Sequence, residues 1–543
     1  MQTTVASNDY ETARREFRWN CPPNFNFARD IIDRYAGAEP DRLALLWVDD
    51  HGNEERRSFG DIAQASCRAA NLLRNAGVQR GDRVIMVLGR QIAWWEVLSA
   101  CLRMGAVISP GTTQLGPRDI AYRINASAAT CIVTDSANAA KVDEIAAQCP
   151  SLVARLLVDG SRAGWLDFRT AASTASPVFS TVDSAADDEA LCFFTSGTTG
   201  YPKMCIHSHS YGLAHQTTGR YWLDLGPADL HWNCSDTGWA KAAWSSYFGP
   251  WNCGAAVFVH QTTGFNAKRS LELLTKYPVT TFCGAPTIYR MLVLEDLANY
   301  HFASLRHCVG AGEPLNPEVI ETWRRATGLT IRDGYGQTET VILCGNFSGF
   351  EPRFGSMGKP APGIDLAVID PDGAILPPDR EGDVAVRVKP QRPLGLFREY
   401  KGNPEKTAAS FRGDWYLTGD RATVDADGYF WFVGRSDDVI LSAGYRIGPF
   451  EVESALIEHA AVAESAVVSS PDEQRGEVVK AFVVLAPGYR ASEALVTELQ
   501  EHVKAVTAPY KYPRRIEFVD ELPKTVSGKI RRIELRDREW GKS

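Results

Sequence analysis

The stretch 191–204 carries groups that could hold a chain of phosphates. An apolar run suited to a buried strand ends abruptly in hydroxyl residues and glycines, and the segment then closes on Pro202 and Lys203. Glycines let backbone N–H groups approach an anion, hydroxyls add donors and a lysine adds positive charge. The spacing is not that of the G-x-x-x-x-G-K-S/T loop, and a flexible linker is the alternative. The predicted phosphate-binding residues are Thr195, Ser196, Gly197, Thr198, Thr199, Gly200 and Lys203.

A second candidate segment spans 333–340 and has the sequence Asp-Gly-Tyr-Gly-Gln-Thr-Glu-Thr. The face of Tyr335 suits stacking on a purine, and Thr338 can donate a hydrogen bond to phosphate or carboxylate oxygens. Glu339 supplies the kind of oxygen ligand that Mg2+ takes when it bridges phosphates. A purely structural turn is the alternative for this segment.

Three further charged residues follow towards the C-terminus. Asp420 comes directly after a glycine, where its carboxylate could accept both hydroxyls of a ribose, and Arg435 could meet a phosphate in a fork geometry. The alternatives are a turn residue and a surface ion pair. Lys529 is presented by a Ser-Gly turn near the end of the chain, where a solvated surface charge is the alternative. The polar run 436–438 is a candidate hinge.

Length, charge and cysteine pattern limit the classes of function. A chain of 543 residues exceeds one hydrophobic core and predicts two or three domains. A net charge of -8 and a pI near 5.8 disfavour nucleic-acid partners and a polybasic membrane patch, which favours a small-molecule partner. No apolar run has membrane-spanning length, so no stable membrane insertion is expected. Twelve cysteines and ten histidines show no metal-ligand spacing, so a transition-metal site is not expected.

The hydrophobic pattern predicts an α/β fold. Apolar strands alternate with amphipathic helices over 43–148, which is typical of parallel sheets covered by helices. From 365 onwards short alternating strands with Asp-Gly turns predict a small antiparallel, barrel-like part. The remaining C-terminal segment has the size of a separate α+β module. The predicted domains are 1–436, a large nucleotide-binding domain, and 437–543, a small mobile domain that carries Lys529.

Five segments resemble the core motifs of the acyl-adenylate-forming (ANL) superfamily, which includes acyl-CoA synthetases, adenylation domains of peptide synthetases and firefly luciferase. In order along the chain they are 195–203, 335–340, 416–420, 434–446 and 523–529. The resemblance covers nearly the whole chain. Four more segments are similar to those of medium-chain acyl-CoA synthetases, namely 235–239, 444–449, 475–482 and 508–514.

The resemblance implies a two-step ligation that uses ATP, CoA and Mg2+. ATP and a carboxylic acid give an acyl-AMP and pyrophosphate, and the CoA thiol then displaces AMP. By resemblance, 195–203 holds the β and γ phosphates, Glu339 holds Mg2+ and Asp420 holds the ribose. Adenine and the α-phosphate lie against Asp333, Gly334, Tyr335, Gly336, Gln337 and Thr338. The residues expected at the reacting groups are Thr338, Arg435, Arg446 and Lys529.

The same resemblance implies that the C-terminal domain rotates about Asp437 between the two steps. The face that carries Ala443, Gly444 and Tyr445 would then line the pantetheine tunnel. Basic residues should meet the 3'-phosphate of CoA outside it. The expected CoA residues are Gln114, Arg475, Lys504, Tyr512 and Arg514.

The acid is expected to be a medium-chain or branched-chain fatty acid. Acetyl-CoA synthetases place a tryptophan where this chain has Gly336, so the glycine should open the acyl pocket, with Gly284 and Trp239 as further lining residues. The mitochondrial presequence of the animal enzymes is lacking, which predicts a cytoplasmic protein. Two alternatives stay open: a stand-alone adenylating enzyme that loads an acyl or aryl acid onto a carrier-protein phosphopantetheine, and a non-catalytic ATP sensor. A homodimer is also left open.

Overall fold

The computed structural model describes residues 9–195, 202–442, 445–472, 475–524 and 530–541. Across these ranges the strands, in chain order, are β1 (Leu43–Asp49), β2 (Glu54–Ser58), β3 (Arg83–Val87), β4 (Val107–Gly111), β5 (Cys131–Thr134), β6 (Ala154–Leu157), β7 (Leu166–Asp167), β8 (Glu189–Thr195), β9 (Lys203–Ser208), β10 (Leu230–Asn233), β11 (Ala256–Gln261), β12 (Thr281–Gly284), β13 (His307–Ala311), β14 (Ile331–Gly336), β15 (Ile342–Gly345), β16 (Lys359–Pro360), β17 (Leu366–Ile369), β18 (Gly382–Arg387), β19 (Glu399–Lys401), β20 (Phe411–Arg412), β21 (Trp415–Val424), β22 (Phe430–Arg435), β23 (Ile440–Ser442), β24 (Tyr445–Ile447), β25 (Val462–Asp472), β26 (Gly476–Leu485) and β27 (Arg515–Phe518).

The helices of the same ranges are α1 (Tyr10–Glu16), α2 (Arg34–Ala38), α3 (Phe59–Asn75), α4 (Ile92–Met104), α5 (Pro117–Ser127), α6 (Ser136–Ile145), α7 (Phe168–Thr174), α8 (Ser210–Thr217), α9 (Ala240–Ala243), α10 (Gly249–Asn252), α11 (Ala267–Lys276), α12 (Pro286–Leu292), α13 (Pro317–Thr327), α14 (Pro404–Ala409), α15 (Pro449–Ile457), α16 (Glu493–Val506) and α17 (Arg532–Glu539). Short 3-10 or π-helical turns cover Ala28–Asp33, Ala146–Gln148, Thr218–Trp222, Trp244–Phe248, Leu297–Asn299 and Pro509–Lys511.

Two large sheets, mostly parallel, form the body of the protein. Within the described residues one has the strand order β16-β15-β14-β13-β12-β10-β11-β1-β2, and the other has the order β19-β9-β8-β4-β3-β5-β6-β7. Every residue of α4 is buried, including Trp94 and Trp95. Its two charged residues are paired, Arg103 with Asp33 at 2.6 Å and Glu96 with Arg169 at 3.2 Å. The predicted helix-covered parallel sheets are therefore confirmed.

The antiparallel part follows as predicted, with one difference. Strands β17, β18, β21, β20 and β22 form a separate antiparallel sheet. Strand β19 lies in the same stretch of sequence, but it leaves this sheet and pairs antiparallel with β9 at the edge of a large sheet. Residues that follow the phosphate-loop segment are thereby joined to residues almost two hundred positions later in the chain.

The C-terminal module is a five-stranded sheet with α15, α16 and α17 packed against it, within the part of the chain that the structure describes. It has its own buried core, which includes Ile440, Leu456 and Leu499. It also contacts the large domain, since Asn316 Nδ2 donates to Ser454 Oγ at 3.2 Å. The predicted small α+β C-terminal domain is confirmed. Among the described helices none has both the length and the apolar character that crossing a bilayer requires.

Candidate active site

The carboxyl ends of three parallel strands meet at one edge of the nine-stranded sheet. Gly284 at the end of β12 is paired with Gly310 of β13, and Ala311 is paired with Gly334 of β14. The ammonium of Lys241, from α9, donates to the carbonyl oxygens of Gly284 at 3.0 Å and Ala311 at 2.6 Å. Ligands of open α/β sheets bind at such edges, and several predicted site residues follow these strands.

Asp420 is the centre of a buried polar cluster. Its carboxylate accepts a hydrogen bond from the Tyr335 hydroxyl and another from Gln337 Nε2 at 2.8 Å, and Arg435 Nη1 lies 3.3 Å from it. Only 4% of Asp420 is exposed. Gln337 is fixed in turn, because Nε2 also donates to the Thr418 carbonyl at 2.8 Å. We call Asp420, Tyr335, Gln337 and Arg435 the Asp420 cluster.

A glycine positions the Asp420 carboxylate. Gly419 has a φ of +75°, a left-handed conformation that side-chain-bearing residues rarely adopt. Asp420 in β21 lies directly opposite Arg435 in the antiparallel strand β22. The two side chains are therefore on the same side of the sheet and form the ion pair beside Tyr335. The sequence predicted these residues as separate nucleotide contacts. The structure brings them together, and Arg435, expected to meet a phosphate, is paired with Asp420.

Asp333 is buried beside the strand ends and accepts hydrogen bonds from the backbone N–H groups of Gly334 at 2.9 Å and Leu315 at 3.4 Å. Burial raises the pKa of Asp333 to about 8. Its side chain is therefore largely neutral at pH 7, and it acts in this site as a hydrogen-bonding group and not as a charge.

Glu339 and Lys203 contact different parts of the same tyrosine, Tyr400. The Tyr400 hydroxyl donates to Glu339 Oε1 at 2.7 Å, and the Lys203 ammonium lies 4.5 Å from the centroid of the Tyr400 ring. Burial lowers the pKa of Lys203, and the charge of Glu339 opposes that shift. Sequence analysis missed Tyr400, since its role depends on the pairing of β19 with β9.

A buried histidine, His207, holds Thr338, the residue that precedes Glu339. His207 Nε2 donates to the Thr338 carbonyl at 2.7 Å, and burial lowers the pKa of His207 to about 3, so the imidazole is neutral. His207 was also missed, because a single polar residue in an apolar strand carries no signal of a partner so distant in sequence.

The acyl side of the site differs from the expectation at Gly336. A Cβ atom there would lie 2.5 Å from the Val341 carbonyl oxygen and 2.7 Å from the ring of Trp244, so the glycine leaves no open volume. Trp244 was not predicted as a site residue. It is 4% exposed and its Nε1 donates to the Tyr211 hydroxyl at 2.6 Å. Gly284 is similarly covered, with a Cβ position 3.1 Å from Tyr289. The wall in this part of the site is therefore Trp244.

A close backbone contact places Trp239 and Gln114 in the same region. A Cβ on Gly238 would lie 2.0 Å from the backbone nitrogen of Thr112, so only glycine fits there. Thr112 Oγ1 donates to Asp236 at 3.0 Å, which fixes the turn that leads to Trp239. Trp239 is half-buried at the start of α9, and Gln114 is exposed just beyond β4.

Three of the predicted CoA residues in the C-terminal module lie together, and two others, Arg475 and Tyr445, lie apart from them. The Tyr512 ring has Lys504 at 4.2 Å and Arg514 at 4.7 Å from its centroid, and Arg514 Nη1 donates to the Tyr512 hydroxyl at 2.6 Å. We call these three residues the Tyr512 cluster. Arg475 is exposed in the turn before β26, and Tyr445 stacks on Tyr510 at 4.3 Å.

Several predicted residues lie outside the part of the chain that the structure describes. Ser196, Gly197, Thr198, Thr199, Gly200, Ala443, Gly444 and Lys529 lie outside the described residues. The backbone of Arg446 pairs with Leu441. Thr195 ends β8, and its Oγ1 is buried with no hydrogen-bond partner among the described residues. Asp437, the predicted hinge residue, lies with its Oδ1 3.9 Å from Arg435 Nε.

Comparison with known proteins agrees with this geometry. A family model described as AMP-binding enzyme matches residues 32–400, and one described as AMP-binding enzyme C-terminal domain matches residues 451–529. Acyl-coenzyme A synthetase ACSM3, mitochondrial, of Mus musculus is 54% identical over 98% of this chain and 94% of the relative. Acyl-coenzyme A synthetase ACSM5, mitochondrial, of Homo sapiens is 54% identical over 96% of this chain and 92% of the relative.

A solved structure of a CoA ligase has the same fold. The crystal structure of the anthranilate CoA ligase AuaEII in complex with anthranoyl-AMP superposes with a TM-score of 0.87 at 31% identity, over 96% of this chain and 98% of that one. One prediction is wrong. The sequence analysis expected a cytoplasmic protein, whereas the two relatives are named as mitochondrial.

Proposed function

Because this chain belongs to the AMP-binding enzymes and, within them, to the medium-chain acyl-CoA synthetases, we propose that it joins a medium-chain carboxylic acid to CoA at the expense of ATP. The acid first becomes an acyl-AMP with release of pyrophosphate, and the thiol of CoA then displaces AMP. The observation that carries the proposal is the Asp420 cluster, in which Tyr335, Gln337 and Arg435 converge on one buried carboxylate.

The first step brings two anions together, the acid and the α-phosphate. Positioned cations and donors should therefore supply most of the rate enhancement. Arg435 lies at the edge of the Asp420 cluster, and Lys203 faces the same site from β9. In the proposed assignment Asp420 accepts the ribose hydroxyls, Thr338 donates to the α-phosphate, and Lys529 and Arg446 neutralise the reacting oxygens. The segment 195–203 encloses the β and γ phosphates.

Glu339 is the proposed residue for Mg2+. A carboxylate that is half-buried and held at one oxygen by Tyr400 suits an ion that binds one or two carboxylates together with phosphate oxygens. In the described ranges no group of three or more histidine, cysteine or acidic residues is arranged to hold a metal ion. We therefore propose that phosphate oxygens of the nucleotide supply further ligands. When bound, Mg2+ would offset the charge that builds up on the departing pyrophosphate.

The acid would lie between the strand ends and Trp244. Lys241 presents a cation at this edge, and Trp239 is the proposed lining residue beside it. Gly284 and Gly336 would contribute only backbone to the lining, since Tyr289 and Trp244 fill the space beside them. Each buried CH2 group contributes about 0.8 kcal/mol, so affinity should rise roughly fourfold per carbon until the chain reaches Trp244. Trp244→Leu should extend that rise to longer acids. If the profile over a C2 to C12 panel is unchanged, Trp244 does not limit the pocket.

The second step requires the thiol to reach the acyl-AMP. We assign residues 437–543 as a domain that turns about Asp437, with Ala443, Gly444 and Tyr445 along the pantetheine. The Tyr512 cluster, Arg475 and Gln114 would meet the nucleotide part of CoA. Two cations on one aromatic ring form a compact site for a phosphate, which supports this assignment.

A pyrophosphate-release screen over a panel of carboxylic acids tests the proposal. We expect turnover with C4 to C10 acids only when CoA is present, with AMP, pyrophosphate and acyl-CoA as products. A stand-alone adenylating enzyme would instead turn over with a holo-carrier protein and not with CoA, and that result would reject the proposal. An ATP sensor would release no pyrophosphate with any acid.

A further inference from the structure

Tyr400 links two charged residues of opposite sign in the nucleotide site. It lies in the edge strand β19 and is 5% exposed. Its hydroxyl donates to Glu339 Oε1 at 2.7 Å, and the Lys203 ammonium lies over its ring, 4.5 Å from the centroid.

Backbone hydrogen bonds place Tyr400 between the two charged residues. Tyr400 pairs with Cys205 in β9, the strand that begins at Lys203, and the backbone N–H of Phe397 donates to the Glu339 carbonyl at 2.7 Å. Strand β19 therefore holds both the lysine strand and the glutamate loop.

The charges themselves explain why a tyrosine is useful here. Among the residues that the structure describes, no carboxylate lies within ion-pair distance of the Lys203 ammonium. A direct pair between Lys203 and Glu339 would use each charge to neutralise the other, and both would be lost to the nucleotide. An aromatic face attracts an ammonium without neutralising it, and a hydroxyl orients a carboxylate without removing its charge.

We propose that Tyr400 is a positioning residue that keeps Lys203 and Glu339 apart, so that the lysine stays available to phosphate and the glutamate stays available to a divalent cation. This inference rests on the proposed function, because it assumes that both charges serve a metal–nucleotide complex. The hydroxyl and the ring have separate tasks, which two substitutions can separate. Tyr400→Phe removes the hydrogen bond to Glu339 and keeps the ring under Lys203, whereas Tyr400→Leu removes both.

The test measures binding by the full chain in two titrations. Free Mn2+, followed by its electron paramagnetic resonance, reports divalent-cation binding in the presence of ATP. Calorimetry with ATP in the presence of EDTA reports nucleotide binding without metal. Tyr247→Phe is the matched control, because it removes a buried hydroxyl bonded to Ser99 at 2.7 Å in the core, away from both charges. Melting curves of every variant confirm that it is folded.

We expect Tyr400→Phe to weaken Mn2+ binding about tenfold, as for a lost hydrogen bond to a charged group, and to change metal-free ATP binding less than twofold. We expect Tyr400→Leu to weaken metal-free ATP binding as well, by about three- to tenfold. Adding Glu339→Gln should reduce the effect of Tyr400→Leu on metal-free ATP binding to less than twofold, because Lys203 then has no carboxylate to pair with. A merely structural role for Tyr400 would not give that rescue.

Two results would overturn the inference. One is Mn2+ and ATP binding by both Tyr400 variants that matches Tyr247→Phe, and the other is a loss in Tyr400→Leu that Glu339→Gln does not reduce. Wild-type protein that binds no ATP, or forms no acyl-CoA, would instead reject the proposed function. The wild-type measurements thus separate failure of the function from failure of this inference.

Discussion

The Asp420 cluster and the Tyr512 cluster use similar parts in different surroundings. Each joins a tyrosine hydroxyl to a charged side chain, Tyr335 to Asp420 in one and Tyr512 to Arg514 in the other. Asp420 is 4% exposed, whereas the Lys504 side chain is 31% exposed and also pairs with Glu501 at 2.6 Å. The charge at the centre of the Asp420 cluster is therefore buried, and its outer partner Arg435 reaches solvent, whereas both cations of the Tyr512 cluster are partly exposed.

The difference in burial implies a difference in function. Buried charges interact strongly and are little affected by salt, so the Asp420 carboxylate, held by Tyr335 and Gln337, is fixed in advance for a nucleotide that binds in one orientation. Exposed cations attract a polyanion over a distance of about 10 Å or less and are readily screened. We infer that the nucleotide site supplies orientation, and that the Tyr512 cluster supplies mainly recruitment.

Substitution of Lys529 should have the largest effect and should separate the two half-reactions. Lys529→Ala is expected to slow acyl-AMP formation about 10²- to 10³-fold, the loss typical of one preorganised donor at a reacting group. Transfer from chemically supplied acyl-AMP to CoA should change little. Lys524→Ala, which removes an ion pair with Glu464 from the same segment, is the control. Equal loss in both half-reactions would show that Lys529 does not act in the first step alone.

Asp420→Asn should have the next largest effect, because it leaves the Asp420 cluster without its central charge. We expect the KM for ATP to rise about 10- to 100-fold, as for a buried hydrogen bond to a charged group, with a smaller change in the KM for CoA. Asp425→Asn is the control, since its carboxylate pairs with Arg353 at 2.6 Å on the same strand pair. Steady-state kinetics with each substrate varied will check this. An unchanged KM for ATP would contradict the central place of Asp420.

Removing the cations of the Tyr512 cluster should have a smaller effect that depends on salt. Lys504→Ala and Arg514→Ala are each expected to raise the KM for CoA about three- to tenfold at low ionic strength, and less in 0.5 M salt, because exposed charges are screened. Neither should affect dephospho-CoA, which lacks the 3'-phosphate. Lys268→Ala, an exposed lysine of α11, is the control. If dephospho-CoA is equally affected, the cluster does not bind that phosphate.

The smallest effect concerns pH. Burial raises the pKa of Asp333 to about 8, above the value of about 3.9 in an unfolded chain. Between about pH 4 and 8 the folded state therefore holds a proton that the unfolded state has released, so stability falls as pH rises through this range. The melting temperature of the wild type should fall more steeply from pH 6 to 8 than that of Asp333→Asn, by roughly 1–2 °C per pH unit. Parallel curves would show that Asp333 is ionised in the fold.

Sequence alone predicted the fold class and the family. Both depend on local features, namely the alternation of strands with helices and motifs that each occupy a short stretch of chain. It did not predict Trp244 beside Gly336, or Tyr400 between Lys203 and Glu339. Both depend on contacts between segments far apart in sequence, and hydrophobic periodicity does not specify which distant strand is the partner. For the same reason Gly336 was expected to open the pocket, although the space beside it is filled.

A single-turnover experiment tests the central claim that one site forms an acyl-AMP and then passes the acyl group to CoA. Enzyme is mixed with ATP and octanoate in the absence of CoA, quenched, and then chased with CoA. The account predicts a burst of about one pyrophosphate per active site, with bound octanoyl-AMP that converts to octanoyl-CoA and AMP on addition of CoA. Release of ADP and phosphate, or an acyl-AMP that CoA cannot discharge, would contradict it.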